Sequence, residues 1–382
     1  MILPGATLGL LGGGQLGRYF AAAARTAGYG VWVLDPDPQA PAAAFATRHL
    51  CAAYDDADAL ALLGTHCAAI TTEFENAPAS ALAALADQYQ LPVRPAAAAV
   101  AIAQDRIREK QFFRDCGLPV GPYGVIADAA GIPAALTQVA YPAIIKTARF
   151  GYDGKGQVRV AGPTEAQAVL AAQPDLMPCV IEQLLPLAQE LSVVLGRGVN
   201  GSVQCFPVAQ NHHRHGILDV SIAPAEIAES LAQQVCSWAS RVANTLEYVG
   251  VLGVEFFVLT DGSLLLNEMA PRPHNSGHYT IDAGACSQFE QQLRLVCGFP
   301  PLDPAPAANA VMVNLLGDQW HAGTPDWASL LQHPRARLHL YGKREARPGR
   351  KMGHFTLVGP DRQSLLEEAE QLRRTLGMSA SD

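Results

Sequence analysis

Residues 253–278 read GVEFFVLTDGSLLLNEMAPRPHNSGH. Two apolar runs, 254–259 and 264–267, flank Thr260-Asp261-Gly262-Ser263. An Asp-Gly pair between such runs is a strong hairpin signal. Closing the hairpin on Thr260 and Ser263 sets Glu255 directly opposite Glu268, both on one face. Like charges so placed destabilise a sheet, and the pair therefore asks for a cation. Carboxylate oxygens suit Mg²⁺, which is usually held by one or two carboxylates together with substrate phosphates; Mn²⁺ is an alternative occupant. Asn267 adds a neutral oxygen. Pro271-Arg272-Pro273-His274-Asn275 then brings a guanidinium, an imidazole and an amide beside the expected metal. An exposed hairpin with two solvated glutamates is the plainer alternative.

Working outward, 382 residues suffice for two or three domains. The charged fraction is 16%, the formal net charge is −8, and no Lys/Arg block occurs. That argues against a dedicated nucleic-acid or anionic-membrane surface and leaves room for a local basic pocket. No basic residue precedes Arg18, and glycines interrupt the apolar start, so neither a secretory signal nor a membrane anchor is expected. Eight cysteines without a C-x-x-C spacing read as small buried hydrophobes in a reducing cytosol.

The start of the chain reads strand 7–11, helix to about 27, strand 31–34 and a further strand at 68–72. This alternation implies a parallel, doubly wound sheet. Gly12, Gly14 and Gly17 give G-x-G-x-x-G, with Asp35 about 20 positions further on. That pattern allows three readings: N–H groups aimed at a substrate anion, a dinucleotide site, or a tight turn with no ligand. The Ala-rich 94–103 segment reads as a link. A helix at 104–116 carries Arg106, and strands follow at 141–146, 158–160, 180–182, 190–195 and 201–208. Asn211-His212-His213-Arg214-His215 reads as a polar loop at a site mouth, because its spacing lacks zinc-ligand companions. A long helix is expected at 225–248. Strands at 310–315, 338–341 and from 351, and a helix at 364–376, close the chain.

The second glycine-rich loop is more informative. Lys146 ends a strand, GYDGKGQ follows at 151–157, and a strand returns. Such a strand–turn–strand loop with two lysines suits phosphates, a simple flexible hairpin being the plainer alternative. It is not a Walker A loop, since G-x-x-x-x-G-K-[ST] is absent. The edge at 182–185 reads equally as ordinary strand-end polar residues or as backbone groups presented to an adenine ring, with Glu190 accepting ribose hydroxyls.

Taken together, GYDGKGQ after Lys146, the Glu255/Asn267/Glu268 hairpin and RPHNSGH at 272–278 resemble the ATP-grasp enzymes of purine biosynthesis. Within these the chain is most similar to the N5-carboxyaminoimidazole ribonucleotide synthetases, ATP-dependent carboxylases of 5-aminoimidazole ribonucleotide. GGGQLG at 12–17, TTEFEN at 71–76 and GRKMGH at 349–354 fit the same family, so the likeness covers essentially the whole chain. It implies an α/β and α+β architecture in three parts: a Rossmann-like pre-ATP-grasp domain at 1–103, a small lid domain with its leading helix at 104–185, and a C-terminal ATP-grasp domain with the metal site at 186–382. ATP then lies between the lid and the C-terminal domain. Arg106 and Lys146 contact its phosphates, and Gly151, Tyr152, Asp153, Gly154, Lys155, Gly156 and Gln157 cover them. Glu182, Gln183, Leu184, Leu185 and Glu190 hold adenine and ribose with His213 nearby, while Asn267 and Glu268 face the phosphate end. Glu255 and Glu268 bind Mg²⁺. Gln15, Glu73, Tyr152, Asp153, Arg272, His274, Asn275, Arg350 and Lys351 surround the aminoimidazole nucleotide and bicarbonate.

Asp153, His274, Arg272 and Lys351 are the implied catalytic groups, with either Asp153 or His274 taking the amine proton. The resemblance also implies a cytoplasmic homodimer without nucleic-acid or membrane partners. Three rivals remain. A nicotinamide dehydrogenase leaves Lys146 and the carboxylate hairpin idle. A formate-using glycinamide ribonucleotide transformylase fits GGGQLG and TTEFEN less well. A nucleotide-binding module without catalysis does not need a metal beside reactive groups.

Overall fold

The computed structural model describes residues 1–151, 156–305, 308–321 and 323–378. Three sheets organise them. The first holds β1 (Thr7–Leu11), β2 (Gly30–Leu34), β3 (Arg48–Leu50) and β4 (Ala69–Thr72), all parallel, in the order β3-β2-β1-β4. β1 reads TLGLL and is buried along nearly its whole length, as a strand covered by helices on both faces must be. Leu8 and Leu10 pack with helices Gln15–Thr26 and Gln288–Val296. Leu11 belongs to the opposite core, with helices Ala57–His66 and Ala79–Tyr89. The doubly wound expectation for the start of the chain holds. The 94–103 segment is not a bare link, however: Ala97–Ala103 is helical, as the residue with the highest helix propensity favours.

The second sheet is small and antiparallel. It comprises β5 (Tyr123–Ile126), β6 (Ala143–Thr147), β7 (Gln157–Val160) and β8 (Cys179–Gln183), in the order β5-β8-β6-β7.

The third sheet has nine strands. They are β9 (Leu187–Arg197), β10 (Val203–Cys205), β11 (Ala209–Arg214), β12 (Ile217–Ala223), β13 (Gly250–Leu259), β14 (Leu264–Ala270), β15 (Asn309–Leu316), β16 (Ala336–Leu340) and β17 (Lys351–Gly359). Their order is β14-β13-β9-β11-β12-β15-β17-β16, with β10 paired to β9. Helix Glu229–Thr245 covers β9 and β13 through Val235, Ala239 and Val242. Phe113, from helix Arg106–Asp115, joins the same core. Helix Gln288–Val296 ties the first sheet to the third. Its Leu293 and Val296 enter the first sheet's core, and its Gln292 side chain accepts from Val251 N–H and donates to Thr71 Oγ1.

Four sequence expectations need correction. The 201–208 strand is only Val203–Cys205, since Pro207 has no N–H to continue a ladder. The 225–248 helix is Glu229–Thr245, because Ala225 and Ile227 pack against the core and Glu247 leaves the helix with φ +48°. The 211–215 run is not a loop but mostly strand β11. Asn211 points inward there and finds two hydroxyl partners, so a polar strand is affordable.

The fourth correction concerns the hairpin. It exists, but it closes on Leu259 and Ser263, with Leu259 N–H donating to Ser263 O at 2.9 Å and Gly262 at φ +83°. The loop is thus one residue longer than the two-residue turn. A β-bulge then restores the pairing of Val254 with Met269, so Glu255 faces Asn267 and Glu268 together instead of Glu268 alone. Bulges of this kind re-aim side chains. Among the described residues no helix is long and apolar enough to cross a membrane.

Candidate active site

An open cavity of about 1340 Å³ lies where the three sheets meet. Twenty of the expected site residues line it: Gln15, Glu73, Arg106, Lys146, Gly151, Gln157, Glu182, Gln183, Leu184, Leu185, Glu190, His213, Glu255, Asn267, Glu268, Arg272, His274, Asn275, Arg350 and Lys351. Gly156 does not line it. It stands with φ +70° beside Thr147, at the foot of the loop. Tyr152, Asp153, Gly154 and Lys155 lie outside the described residues.

One wall is built by helix Arg106–Asp115. Asp105 caps it by accepting from Ile107 and Arg108 N–H. Helical spacing then sets Arg106, Glu109 and Lys110 on one face. Arg106 Nη1 reaches Glu268 Oε2 at 2.9 Å. Glu109 accepts from Met269 N–H at 2.8 Å, which pins β14 to the helix. Lys110 Nζ lies 3.3 Å and Lys146 Nζ 3.1 Å from Glu182 Oε2. Burial alone would push the Glu182 carboxyl up, but Lys146, Lys110 and Arg106 outweigh it and hold it at about 2. Burial also lowers Lys110 from the ordinary lysine value. Glu109, buried and facing Glu268, is pushed up to about 8.

The 182–185 run is firmly seated. Gln183 N–H donates to Pro122 O, and Leu184 N–H to Pro142 O. Those two donors are therefore not available to a ligand, a restriction on the expected adenine edge.

The opposite wall is the bulged hairpin. Glu255 Oε1 lies 3.2 Å from His274 Nε2, and Glu255 Oε2 accepts from Asn267 Nδ2 at 3.4 Å. Burial opposes ionisation of Glu255, yet His274, His213 and Asn267 hold it at about 2. Gly253 makes the close seating of His274 feasible: a Cβ there would sit 2.8 Å from His274 Cβ. His213 Nδ1 meets Glu190 Oε2 at 2.9 Å. Burial would depress this imidazole, but Glu190 and Glu255 raise it above the ordinary histidine value. The expected bare carboxylate pair is thus two separately buttressed carboxylates, Glu268 by Arg106 and Glu255 by His274. Two carboxylates and an amide on one face still make an all-oxygen donor set of the kind Mg²⁺ takes. Among the described residues, only Asp282, His339 and His354 bring three His/Cys/Asp/Glu ligand atoms within 4.8 Å. None of them lines the cavity. The His339 and His354 rings stack at 4.5 Å with 15° between their planes, so their in-plane lone pairs run side by side and do not converge on an ion.

The far end of the cavity joins the first sheet to β17. Gln15 Oε1 accepts from Lys343 Nζ at 2.9 Å, and Lys343 also donates to Lys351 O at 2.7 Å. Arg272 pairs with Glu75. Asn275 and Asn314 exchange amide hydrogen bonds at 2.7 and 3.2 Å. The 12–17 loop is occupied by its own chain. Asp35 accepts Gly13 N–H at 2.6 Å and Tyr54 Oη–H at 2.7 Å, and Glu73 accepts Gly14 N–H at 2.5 Å. Asp35 is therefore engaged within the loop and is not free to hold a ribose, which overturns the dinucleotide reading. Burial raises the Glu73 carboxyl, and the Gly14 N–H and Arg272 only partly offset this. Lys110, Glu109, Glu75, Lys343 and Arg347 line the same cavity and were not among the expected residues. The first two were legible from the 104–116 helix spacing. The others are brought in by long-range packing.

Comparison with known proteins agrees with this geometry. Residues 5–104 match the ribonucleotide synthetase preATP-grasp domain, 111–289 the ATP-grasp domain, and 310–368 the phosphoribosylaminoimidazole carboxylase C-terminal domain. The N5-carboxyaminoimidazole ribonucleotide synthase of Brucella melitensis is 45% identical over 358 residues, covering 94% of this chain and 97% of that one. Its Bacillus subtilis counterpart is 39% identical, covering 96% and 95%. A crystal structure of an N5-carboxyaminoimidazole ribonucleotide synthetase with ADP superposes with a TM-score of 0.91 at 38% identity, covering 98% and 97%. The Aspergillus clavatus N5-carboxyaminoimidazole synthase with ADP and 5-aminoimidazole ribonucleotide superposes at 0.88 with 28% identity, covering 97% and 98%. With such likeness along nearly its whole length, the chain belongs to the N5-carboxyaminoimidazole ribonucleotide synthase family.

Proposed function

We propose that the cavity carries out the ATP- and bicarbonate-dependent carboxylation of 5-aminoimidazole ribonucleotide to N5-carboxyaminoimidazole ribonucleotide, releasing ADP and phosphate, in purine biosynthesis. One observation carries the reading. A single cavity sets an all-oxygen donor group, Glu255, Asn267 and Glu268, between a cation cluster and a polar pocket at Gln15, Glu73, Arg272 and Lys351. Nucleotide phosphates suit the cluster, and the second substrate suits the pocket.

Arg106, Lys110 and Lys146 offset the phosphate charge of ATP, which lets a bicarbonate oxygen approach the γ-phosphorus. Glu255 and Glu268 would hold Mg²⁺ with Asn267 beside them; bound there, the ion neutralises developing phosphate charge. The new O–P bond gives carboxyphosphate as ADP leaves. That species splits to CO₂ and phosphate inside the cavity, which must shield it from water during turnover. The exocyclic amine then attacks CO₂, forming the N–C bond and losing a proton to Asp153 or His274. Arg272, Arg350 and Lys351 supply anion recognition, Arg as a two-pronged donor. The domain division at 103/104 and 185/186, a homodimeric state and a cytoplasmic location go with this reading.

The test is ADP release from ATP, Mg²⁺ and bicarbonate, with and without 5-aminoimidazole ribonucleotide. Strong stimulation with one carbamate per ADP is expected. Turnover only with glycinamide ribonucleotide and formate would replace the substrate while keeping the fold.

A further inference from the structure

His274 lies in a hydrogen-bond chain whose direction can be read from one peptide group. Ser276 N–H donates to His274 Nδ1 at 3.4 Å, and Ser276 Oγ lies 2.8 Å from the same nitrogen. A peptide N–H can only donate, so Nδ1 carries its lone pair and no proton. The Ser276 hydroxyl must then donate to Nδ1 as well, which leaves its oxygen to accept. Ser192 Oγ–H donates to it at 2.7 Å. With its own hydrogen used, Ser192 Oγ accepts from Asn211 Nδ2 at 2.8 Å, and Asn211 Oδ1 accepts from Ser221 Oγ at 2.7 Å. Each group in the chain donates and accepts without conflict, and Ser276, Ser192, Asn211 and Ser221 are all buried. The backbone is held too. Gln288 Oε1 accepts His274 N–H at 2.8 Å, and Gln288 Nε2 donates to His274 O at 2.7 Å.

We infer that Ser276 and Ser192 are positioning residues that hold His274 as its Nε2–H tautomer, aimed at Glu255 Oε1. The inference rests on the proposed carboxylase reading for its consequence, though not for its geometry. In this tautomer the one lone pair of the ring faces Ser276, inside the protein, and the nitrogen beside Glu255 carries a hydrogen. His274 therefore orients the Glu255 carboxylate. Ser192 sits on β9 and Ser276 just beyond β14, so the chain also registers the strand under the cavity against the segment that carries His274.

The test joins spectroscopy to kinetics. In ¹⁵N-histidine-labelled protein, with the His274 signal assigned by its loss in His274→Asn, the expected spectrum shows an unprotonated Nδ1 and a protonated Nε2 near neutral pH. A proton on Nδ1, or a doubly protonated ring, would overturn the inference even if no variant folds. Ser276→Ala should give a mixture of tautomers. It should also lower kcat by about 10–100-fold, the usual loss when a partner behind a ligand is removed, with KM for the aminoimidazole nucleotide little changed. Ser192→Ala leaves Ser276 in place and should move the same quantities by less. Full kcat in Ser276→Ala would overturn the positioning role. Full turnover in Glu255→Gln beside an intact Nε2–H signal would instead strike the metal reading and leave the tautomer assignment standing.

Discussion

Glu182 and Glu255 both line the cavity, the first buried and the second partly buried, and both are held at about 2. They reach that acidity differently. Glu182 is met by two ammonium groups at 3.1 and 3.3 Å, so its charge is spent on the protein's own cations and a positive excess is left over for phosphates. Glu255 is met by the His274 imidazole and an amide N–H, hydrogen-bond donors that fix its orientation, with the nearby His213 imidazole adding to their pull. Glu255 and Glu268, the latter with a single guanidinium partner, keep charge for a divalent cation, whereas Glu182, met by two ammonium groups, has little to spare. Acidity alone therefore does not mark a metal ligand; the chemistry of the partner does.

The largest effect that could break this contrast is on turnover. Glu268→Gln and Glu255→Gln should each lower kcat by at least about 10²–10³-fold, with the melting temperature nearly unchanged. Steady-state rates beside a thermal melt check this, and retained activity would remove the metal assignment.

Glu182→Gln should do the reverse in kind, since it leaves Lys110 and Lys146 buried against each other. Breaking a buried pair in this way costs about 3–5 kcal/mol. Denaturant unfolding should show that loss, and adding Lys110→Met should recover part of it, a non-additivity that a double-mutant cycle reads directly.

A control for both lies outside the cavity. His278 and His354 are fully buried, and burial together with neighbouring positive groups pushes each well below the ordinary histidine value. The unfolded chain binds protons on them below about pH 6.5 while the folded chain does not. Their stabilising effect is thus complete above that pH and is lost as pH falls, by up to about 2.7 kcal/mol per pH unit for the two together. Stability measured from pH 7 to 5 should show this slope, and His354→Phe should lessen it.

The smallest effect sharpens the account at the first glycine loop. Asp35→Asn weakens the acceptor of Gly13 N–H and Tyr54 Oη–H and should cost about 1–2 kcal/mol in stability, with kcat unchanged. A large loss of turnover would return Asp35 to the active site.

Much of this was legible in the sequence where local rules dominate. The Asp-Gly turn, the TLGLL strand and the Asp105-capped helix are set by short-range chemistry, and their elements appear within a residue or two. The hairpin register was misjudged because the choice between a two- and a three-residue loop is balanced locally. The bulge that compensates for it is imposed by packing of β14 on helix Arg106–Asp115, where Glu109 holds Met269 N–H. The histidine run looked like a loop because its polarity is satisfied from elsewhere in the chain, Asn211 by Ser192 and Ser221 and His213 by Glu190. Asp35 looked like a ribose ligand because spacing does not reveal that Tyr54 and Gly13 claim one of its oxygens and Asp37 N–H the other. Lys343 gave no local signal, since Gln15, its partner, lies 328 positions away.

The central claim is that bicarbonate oxygen attacks the γ-phosphorus of ATP in this cavity and that its carbon passes to the aminoimidazole amine. Turnover in freshly dissolved ¹⁸O,¹³C-bicarbonate, analysed by mass spectrometry, tests it most directly. The account predicts one ¹⁸O in each phosphate released and one ¹³C in each carbamate formed. Phosphate carrying only oxygen from ATP and water would contradict it.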